Sequence, residues 1–509
     1  MGISINYLGK YFLIKIFVHN YNSLCYNFKE IKQKYIKKAG IQMNIRLTFT
    51  IIITKLLVFA LRILKRGGTT LPGKVARKIY PDIIKVISKD YKIIMVTGTN
   101  GKTTTTRIIG KVLEENNIEY ITNKSGANLV SGVITTFIDS VNIFGKSKAS
   151  TALIEVDEAA FNVVTDYVQP DILVVTNFFR DQLDRFGELY TTLSNVRSGI
   201  EKSPNAKLVL NADDSLCASL GHNMDREVIY YGFSDEAYDN SNTVVNSDAS
   251  ICLYCKSKYE YSYQVYGHLG GFSCPDCGYM RPVSKVTCLK INELNTSYSD
   301  IVFSLSPIKE SSEPVSYNAR INLPGLYNIY NAMAAASLGH LLGFSADSLV
   351  KAMESFECGF GRMETIETDG KTIKVILVKN PTGFNQVLSY LLTEKQNTQI
   401  AFVINDRLAD GTDISWLWDV DFEQLQQMQN KVSYFYTSGI RAEDMAVRLK
   451  YAGIYSDKIQ IEKDYERLLN RALEATSEGQ SLYILPTYTA MLEVRSLLKK
   501  KFGLKEFWK

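Results

Sequence analysis

The sequence lacks three features that would place it in a special class of protein. Its 58 Lys and Arg residues nearly balance 53 Asp and Glu residues, and a net charge of +5 over 509 residues is too small to indicate a nucleic-acid or membrane protein. It has no uninterrupted apolar run of about 20 residues, the length that a membrane-spanning helix needs. No small-residue cleavage site follows an apolar core near the N-terminus, which argues against a signal peptide. We therefore expect a cytoplasmic protein.

Histidine and cysteine are absent from the last part of the chain. The sequence has 4 His and 8 Cys, with no His after His340 and no Cys after Cys358. A cysteine hydrolase needs a Cys nucleophile beside a His base, so the last part of the chain has no such pair of its own. Four of the cysteines fall into one metal-like pattern and four are scattered, which does not indicate a disulfide framework.

What the chain does contain is a phosphate-binding loop. Residues Thr97–Thr104 read TGTNGKTT, between an apolar run at 93–96 and a helical pattern. A strand, a glycine turn, Lys-Thr and a helix present backbone N–H groups to a phosphate. Lys102 is expected to reach the β- and γ-phosphates and Thr103 to hold Mg²⁺. The other expected contacts are Gly98, Thr99, Asn100, Gly101 and Thr104. One departure is Val96, which stands where the general pattern has glycine.

Apolar strands alternate with helical patterns from residue 91 to about 215, which predicts a doubly wound parallel α/β sheet. Ligands of such sheets lie beyond the carboxyl ends of the strands, where two acidic clusters fall. The first, EVDE at 155–158, suits Mg²⁺ because hard cations prefer carboxylate oxygens. The second, NFFRDQLDR at 177–185, contains Asp181 and Asp184, which we expect to contact substrate. The alternative for either cluster is a solvated helix start.

Two Cys-x-x-Cys pairs, Cys252 with Cys255 and Cys274 with Cys277, predict a tetrahedral zinc site in an inserted ribbon at about 246–286. A structural role is expected; redox chemistry and nucleic-acid reading are the alternatives. The nearby tyrosines could stack on bases, but no basic stripe accompanies them, so we expect no nucleic-acid partner.

The rest of the chain suggests four segments. Residues 1–42 form an extension of doubtful status. Residues 43–90 form a helical segment, in which 47–63 is an amphipathic helix that packs on the body or lies on a membrane surface. The central domain runs over 91–365, with Asn328 and Asn331 on one face of a helix start and a Gly-Arg-x-Glu linker containing Arg362. A smaller α/β domain, 366–509, carries the polar loop NDRLADGTDISW at 405–416.

Together these motifs resemble the Mur ligase superfamily. Within it, the Cys₄ insertion, the KNPTGFNQ run that begins at Lys379 and the DGTDISW run that begins at Asp410 resemble the MurT family. The resemblance covers about 43–509. It implies a Mur-ligase-like central ATPase domain with an inserted zinc ribbon, a MurT-type C-terminal domain, and ATP, Mg²⁺ and structural Zn²⁺ as cofactors. It implies that Glu155, Asn328, Asn331 and Arg362 join the loop in binding ATP and Mg²⁺.

The resemblance also implies a reaction. ATP activates a carboxylate as an acyl phosphate, which an amine then attacks. In the MurT family the carboxylate is the α-carboxyl of D-glutamate in the stem peptide of lipid II, at the inner membrane surface. Its amidation gives D-isoglutamine, with ammonia from a GatD-type glutamine amidotransferase subunit. The main alternative is an amino-acid-adding ligase of the muropeptide or folylpolyglutamate kind. A zinc-dependent binding module with a degenerate ATPase is a third reading.

Candidate catalytic residues also follow from the resemblance. Asp413 is expected to orient the His of the partner subunit, with Asp410 and Asp406 as lesser candidates, and Glu155 to serve the metal. The alternative for Asp413 is a helix N-cap before Ile414. Two departures from amino-acid-adding ligases are Gln182, where those enzymes have His, and Arg197, at the place of a carbamylated Lys. The fixed positive charge of Arg could stand in for that of a second metal.

Overall fold

A computed structural model of the chain describes residues 45–63, 70–123, 127–180, 189–238, 249–307, 313–357 and 362–504. Three helices come first: α1 Ile45–Ile63, α2 Thr70–Ile79 and α3 Ile83–Ile87. Helix α1 buries Leu47 and Ile51 against the body, and Arg46 donates to the carbonyl of Ile79 over 2.7 Å. None of the helices in the described part of the chain combines the length and the apolar content that spanning a bilayer requires.

The central domain is built on one mixed sheet of nine strands. The strands are β1 Lys92–Thr97, β2 Tyr120–Thr122, β3 Thr151–Glu155, β4 Ile172–Val175, β5 Lys207–Asn211, β6 Val228–Phe233, β9 Val286–Leu294, β10 Ser299–Leu305 and β11 Val315–Ile321. Their order across the sheet is β11-β10-β9-β6-β5-β4-β1-β3-β2, and all are parallel except that β10 runs antiparallel to β9 and β11. Between β6 and β9 the chain inserts a two-stranded ribbon, β7 Glu260–Tyr266 and β8 Leu269–Ser273.

Helices cover both faces of this sheet because its parallel strands are apolar on both sides. In β1, Ile94 and Val96 face one core, whereas Ile93 and Met95 face the other. The first core is closed by α4 Lys102–Glu115, α9 Leu326–Leu341 and α10 Ala346–Glu354. The second is closed by α1 and α3 with α5 Val130–Ser140, α6 Phe161–Val164, α7 Leu189–Glu201 and α8 Ser215–Ser219.

The last domain has its own six-stranded sheet. Its strands are β12 Arg362–Thr368, β13 Lys371–Ile376, β14 Thr398–Val403, β15 Val432–Ser438, β16 Ile459–Ile461 and β17 Ser481–Pro486. Their order across the sheet is β12-β13-β17-β14-β15-β16, and all are parallel apart from β12. Its helices are α11 Pro381–Leu391, α12 Ala442–Tyr451, α13 Tyr465–Glu474 and α14 Tyr488–Phe502, with 3₁₀ turns at 415–419, 422–427 and 456–458.

The predicted fold class is therefore confirmed: a doubly wound central sheet with a Cys-rich ribbon and a separate, smaller α/β sheet. One boundary differs from the sequence interpretation. The segment that begins at Arg362, expected to be a linker, is the edge strand β12, which pairs with β13 from Arg362 to Thr368. Burial of Met363 and Ile366 against the last domain explains why this segment forms a strand.

Candidate active site

The turn between β1 and α4 has the backbone of a phosphate loop. Gly98 and Gly101 adopt φ values of 122° and 83°, a region that L side chains rarely adopt. A Cβ at Gly98 would lie 2.3 Å from Thr176 Oγ1, and one at Gly101 would lie 2.1 Å from Asn331 Oδ1. Both glycines are therefore required by conformation and by space, and α4 begins directly after the second of them.

Lys102 is buried at the start of α4, with a relative exposure of 7%. Its Nζ donates to the carbonyls of Gly98 and Thr99, over 2.5 and 3.1 Å, and pairs with Glu158 Oε2 at 2.7 Å. Burial alone would lower the pKa of Lys102, but the nearby carboxylates, Glu158 first, outweigh it and raise that pKa. The ammonium is therefore charged and already bonded, and an incoming phosphate would compete with Glu158 for it.

Thr103 and Glu155 meet where β1 and β3 end. Thr103 Oγ1 donates to Glu155 Oε2 over 2.7 Å, and Glu155 is largely buried. The Glu155 backbone is fixed by Asn123, whose amide accepts from its N–H and donates to its carbonyl, both over 2.8 Å. A hydroxyl and a buried carboxylate held together at a strand end are hard oxygen ligands suited to Mg²⁺.

The segment after β4 holds the phosphate loop from the other side. Asn177 Oδ1 accepts from the Asn100 N–H over 3.0 Å, and the Asn177 carbonyl accepts from the Thr99 N–H over 2.8 Å. Thr99 Oγ1 accepts from the Phe179 N–H over 3.2 Å. The expected substrate residues Asp181 and Asp184 lie outside the described residues, so their role stays a prediction.

Asn328 and Asn331 stand at the start of α9, as the spacing predicted. Asn331 Oδ1 accepts from Thr105 Oγ1 over 3.2 Å, and its amide donates to Asn328 Oδ1 over 3.1 Å. Asn328 in turn donates to the Pro324 carbonyl. Both side chains line a cavity beside the phosphate loop that is also bordered by the last domain. The Arg362 side chain, expected to join this site, lies outside what the structure describes.

The last domain touches the phosphate loop directly. Asn380 directly precedes α11 and caps it by accepting from the Gly383 N–H over 2.8 Å. The same Asn380 amide donates to Asn100 Oδ1 over 3.0 Å. One side chain thus links the first turn of α11 to the tip of the phosphate loop. The sequence identifies the KNPTGFNQ run only as a mark of the family and does not predict this contact.

The three aspartates of the 405–416 loop have different surroundings. Asp406 pairs with Arg441 at 2.6 Å. Asp410 is 3% exposed and accepts from Thr489, whose N–H lies at 2.7 Å and whose hydroxyl lies at 2.5 Å. Asp413 is exposed and accepts from the Ser415 N–H over 2.8 Å. Asp410 therefore holds the loop onto the start of α14, whereas the carboxylate of Asp413 faces solvent.

The four predicted zinc ligands converge. The Sγ atoms of Cys252, Cys255, Cys274 and Cys277 all lie within 4.8 Å of one another, with 3.3 Å the separation between Cys255 and Cys274. Each pair forms the same turn, in which the N–H of the residue after the second Cys donates to the carbonyl of the first, and that residue has positive φ: 69° at Lys256 and 75° at Gly278. Four thiolates at such separations fit a tetrahedral Zn²⁺ with Zn–S bonds of about 2.3 Å.

The ribbon also reaches the active site, which the sequence reading missed. The β7–β8 turn, Tyr266-Gly267-His268, packs on Phe179, with ring centroids 5.9 Å apart for Tyr266 and 4.6 Å apart for His268. Phe179 is the residue whose N–H bonds to Thr99 of the phosphate loop. No local pattern signals this contact, because it joins segments about ninety residues apart in an otherwise ordinary aromatic pair.

Alanine at Gly267 should therefore weaken nucleotide binding. Its Cβ would lie 2.6 Å from Phe179 Cε1, so the ring must shift and disturb Thr99. Gly278 is the matched control because it also has positive φ, +75°, but nothing lies within 4 Å of a Cβ there. We expect Gly267→Ala to raise the Kd of a fluorescent ATP analogue by about 10-fold, the loss of one aromatic contact. Gly278→Ala should leave this Kd unchanged, with both variants loaded with zinc. If the two variants raised the Kd equally, the β7–β8 turn would not be coupled to the phosphate loop.

Comparisons with known proteins agree with this architecture. The Mur ligase middle domain family matches residues 96–270, and the MurT ligase C-terminal family matches residues 377–491. The chain is 35% identical to the lipid II isoglutaminyl synthase (glutamine-hydrolyzing) subunit MurT of Streptococcus pneumoniae, over 90% of this chain and 98% of that protein. It is 32% identical to subunit MurT of Staphylococcus aureus (strain COL), over 88% and 97%.

Among solved structures, MurF from Acinetobacter baumannii aligns with a TM-score of 0.61 at 16% identity, over 86% of this chain and 81% of that one. This likeness concerns the fold alone. The sequence relatives decide the family, because they match the central domain and the last domain together over almost their whole length. The resemblance inferred from the motifs is thereby confirmed: the chain belongs to the MurT family of the Mur ligase superfamily.

Proposed function

We propose that this chain is the ATP-dependent synthetase subunit of a lipid II isoglutaminyl synthase. It would convert the α-carboxyl of D-glutamate in the lipid II stem peptide into the amide of D-isoglutamine. In the first step, the carboxylate attacks the γ-phosphorus of ATP and releases ADP. Ammonia then attacks the acyl phosphate, forming the C–N bond and releasing inorganic phosphate.

The phosphate loop supplies the first half of this chemistry. The N–H groups at the start of α4 and the Lys102 ammonium would hold the transferred phosphoryl group, and their fixed charges would stabilise the negative charge that develops on it. Thr103 and Glu155 would hold Mg²⁺, which neutralises phosphate charge when bound. The cavity lined by Asn328, Asn331 and Tyr327 would receive the rest of the nucleotide. The four cysteines would hold a structural Zn²⁺.

The nitrogen would come from a second protein. The sequence after Cys358 has neither Cys nor His, so the last domain cannot itself hydrolyse glutamine through a Cys-His pair. A GatD-type glutaminase subunit would contribute both residues. Asp413, exposed on the 405–416 loop, would orient the His of that subunit, whereas the buried and bonded Asp410 would keep the loop in place.

The observation that carries the proposal is similarity to MurT subunits along both domains, with an intact phosphate loop. The test is to incubate the purified chain with ATP and lipid-linked muropeptide, adding either ammonium or single amino acids. We expect ADP release and the mass shift of an amide with ammonium alone. Product formation only with an amino acid would instead establish the amino-acid-adding ligase, and product without ATP consumption would refute both.

A further inference from the structure

We propose that helix α1 docks this protein on the surface of an anionic lipid bilayer. The proposal rests on the proposed function, because a lipid-linked substrate lies in such a surface. It deepens that function by naming the part of the chain that would meet the membrane. The observations that carry it are the exposed face of α1 and the charge of the first 66 residues.

Helix α1 is apolar on both of its sides. One side, with Leu47 and Ile51, packs on the body. The other exposes Ile52, Leu56, Phe59 and Ile63, with relative exposures of 39, 61, 62 and 65%. These four residues, the exposed stripe, follow at steps of four, three and four, so they line one face of the helix. A helix on the surface of a soluble domain ordinarily presents polar residues there, so the exposed stripe calls for an apolar partner.

Charge identifies the partner. Residues 1–66 contain twelve Lys and Arg but a single acidic residue, Glu30, so the modest net charge of the chain conceals a strongly basic segment and a mildly acidic remainder. Helix α1 itself has no Asp or Glu. Its Arg46 and Lys55 donate to the uncharged carbonyls of Ile79 and Asp139, so they keep their charge, whereas Arg62 pairs with the Asp139 carboxylate at 2.7 Å. Each basic residue near an anionic bilayer contributes about 1 kcal/mol of attraction. An apolar stripe with basic flanks is the pattern of a helix that lies in the membrane interface.

The charge of α1 does not favour two other partners for the exposed stripe, a second copy of the chain and the residues that precede the helix. A second copy of the chain would gain nothing from the basic flanks, which would repel each other across a symmetric contact. Residues 1–44, with seven Lys and one Glu, carry the same sign of charge as α1, so charge does not favour them as its partner. An anionic bilayer matches both the apolar stripe and the charge.

The test is sedimentation of the full chain with vesicles of phosphatidylglycerol and phosphatidylcholine, compared with phosphatidylcholine alone. We expect binding to the anionic vesicles that weakens with added salt. The variant Leu56→Ser/Phe59→Ser/Ile63→Ser should lower the bound-to-free ratio by about tenfold or more. Its matched control is Val447→Ser/Tyr451→Ser, which removes apolar residues 46 and 73% exposed on α12 and should bind as the unaltered chain does.

Activity separates this proposal from the proposed function. The triple variant should amidate a water-soluble muropeptide without the lipid at the normal rate, and lose activity on lipid-linked substrate in vesicles. Failure of the unaltered chain to bind anionic vesicles would overturn the membrane proposal while leaving amidation intact. So would a triple variant that binds vesicles normally but changes a dimer into a monomer in gel filtration, since the stripe would then be a contact between copies.

Discussion

Replacing Lys102 with Met should lower the rate of ATP-dependent amidation by about three orders of magnitude, with ammonium as the nitrogen source. In the proposed reaction the ammonium group lies where negative charge develops on the transferred phosphoryl group, and removing one such preorganised charge typically costs 10²–10³ in rate. Single-turnover measurement of ADP formation at saturating ATP would give this number. A rate within threefold of the unaltered chain would show that the loop does not serve phosphoryl transfer.

The substitution needs a control because Lys102 also neutralises a buried carboxylate. Its removal takes away the 2.7 Å ion-pair partner of Glu158, which is 1% exposed, and breaking a buried ion pair by removing one member costs about 3–5 kcal/mol of stability. The double variant Lys102→Met/Glu158→Gln removes that charge. Its Tm should recover most of the loss while the rate stays low, and recovery of the rate with the Tm would assign Lys102 a structural role only.

The second large effect is expected at Asp413. In the complex with the glutaminase subunit, Asp413→Asn should lower glutamine-driven amidation by on the order of 10⁴, the loss seen when a carboxylate that orients a catalytic His is neutralised. Ammonium-driven amidation should be unchanged, because Asp413 is exposed on the last domain and bonds only within its own loop in the described part of the chain. Glutamate release and amide formation, measured in parallel, separate the two activities.

Two further variants sharpen this test. Asp421→Asn alters another exposed carboxylate of the same region, which accepts from Gln424 three residues on, and both activities should survive it. Asp410→Asn disturbs the bonds to Thr489 and should lower the Tm as well as glutamine use. If Asp413→Asn kept glutamine-driven activity, the carboxylate that orients the His would belong to another residue. Asp413 would then serve only to accept the Ser415 N–H.

Local motifs carried most of the fold and part of the site. The spacing of residues predicts the phosphate loop and the pairing of Asn328 with Asn331. The contact of Thr103 with Glu155 follows because the ends of neighbouring parallel strands share one edge of a sheet. The convergence of four cysteines follows from two identical turns. In each case the geometry is set within a few residues, or by the regular repeat of the sheet.

The features that the sequence does not predict depend on packing between distant segments. The contact of the ribbon turn with Phe179 joins residues that carry no mutual signal. The three aspartates of the 405–416 loop look alike in the sequence, and only burial separates Asp410 from Asp413. Helix α1 was expected to be amphipathic, but its outward face is apolar because its polar residues lie at the flanks and toward the body.

The bond between Asn380 and Asn100 has a thermodynamic consequence. It is one of the hydrogen bonds that join the two domains, so a rotation of one domain away from the other must break it. A nucleotide that alters the phosphate loop and a glutaminase that binds the last domain would therefore both shift the equilibrium between the bonded and the rotated arrangement of the two domains. Thermodynamic linkage makes this influence mutual. If bound nucleotide raises the affinity of the chain for the glutaminase by some factor, bound glutaminase must raise its affinity for nucleotide by the same factor.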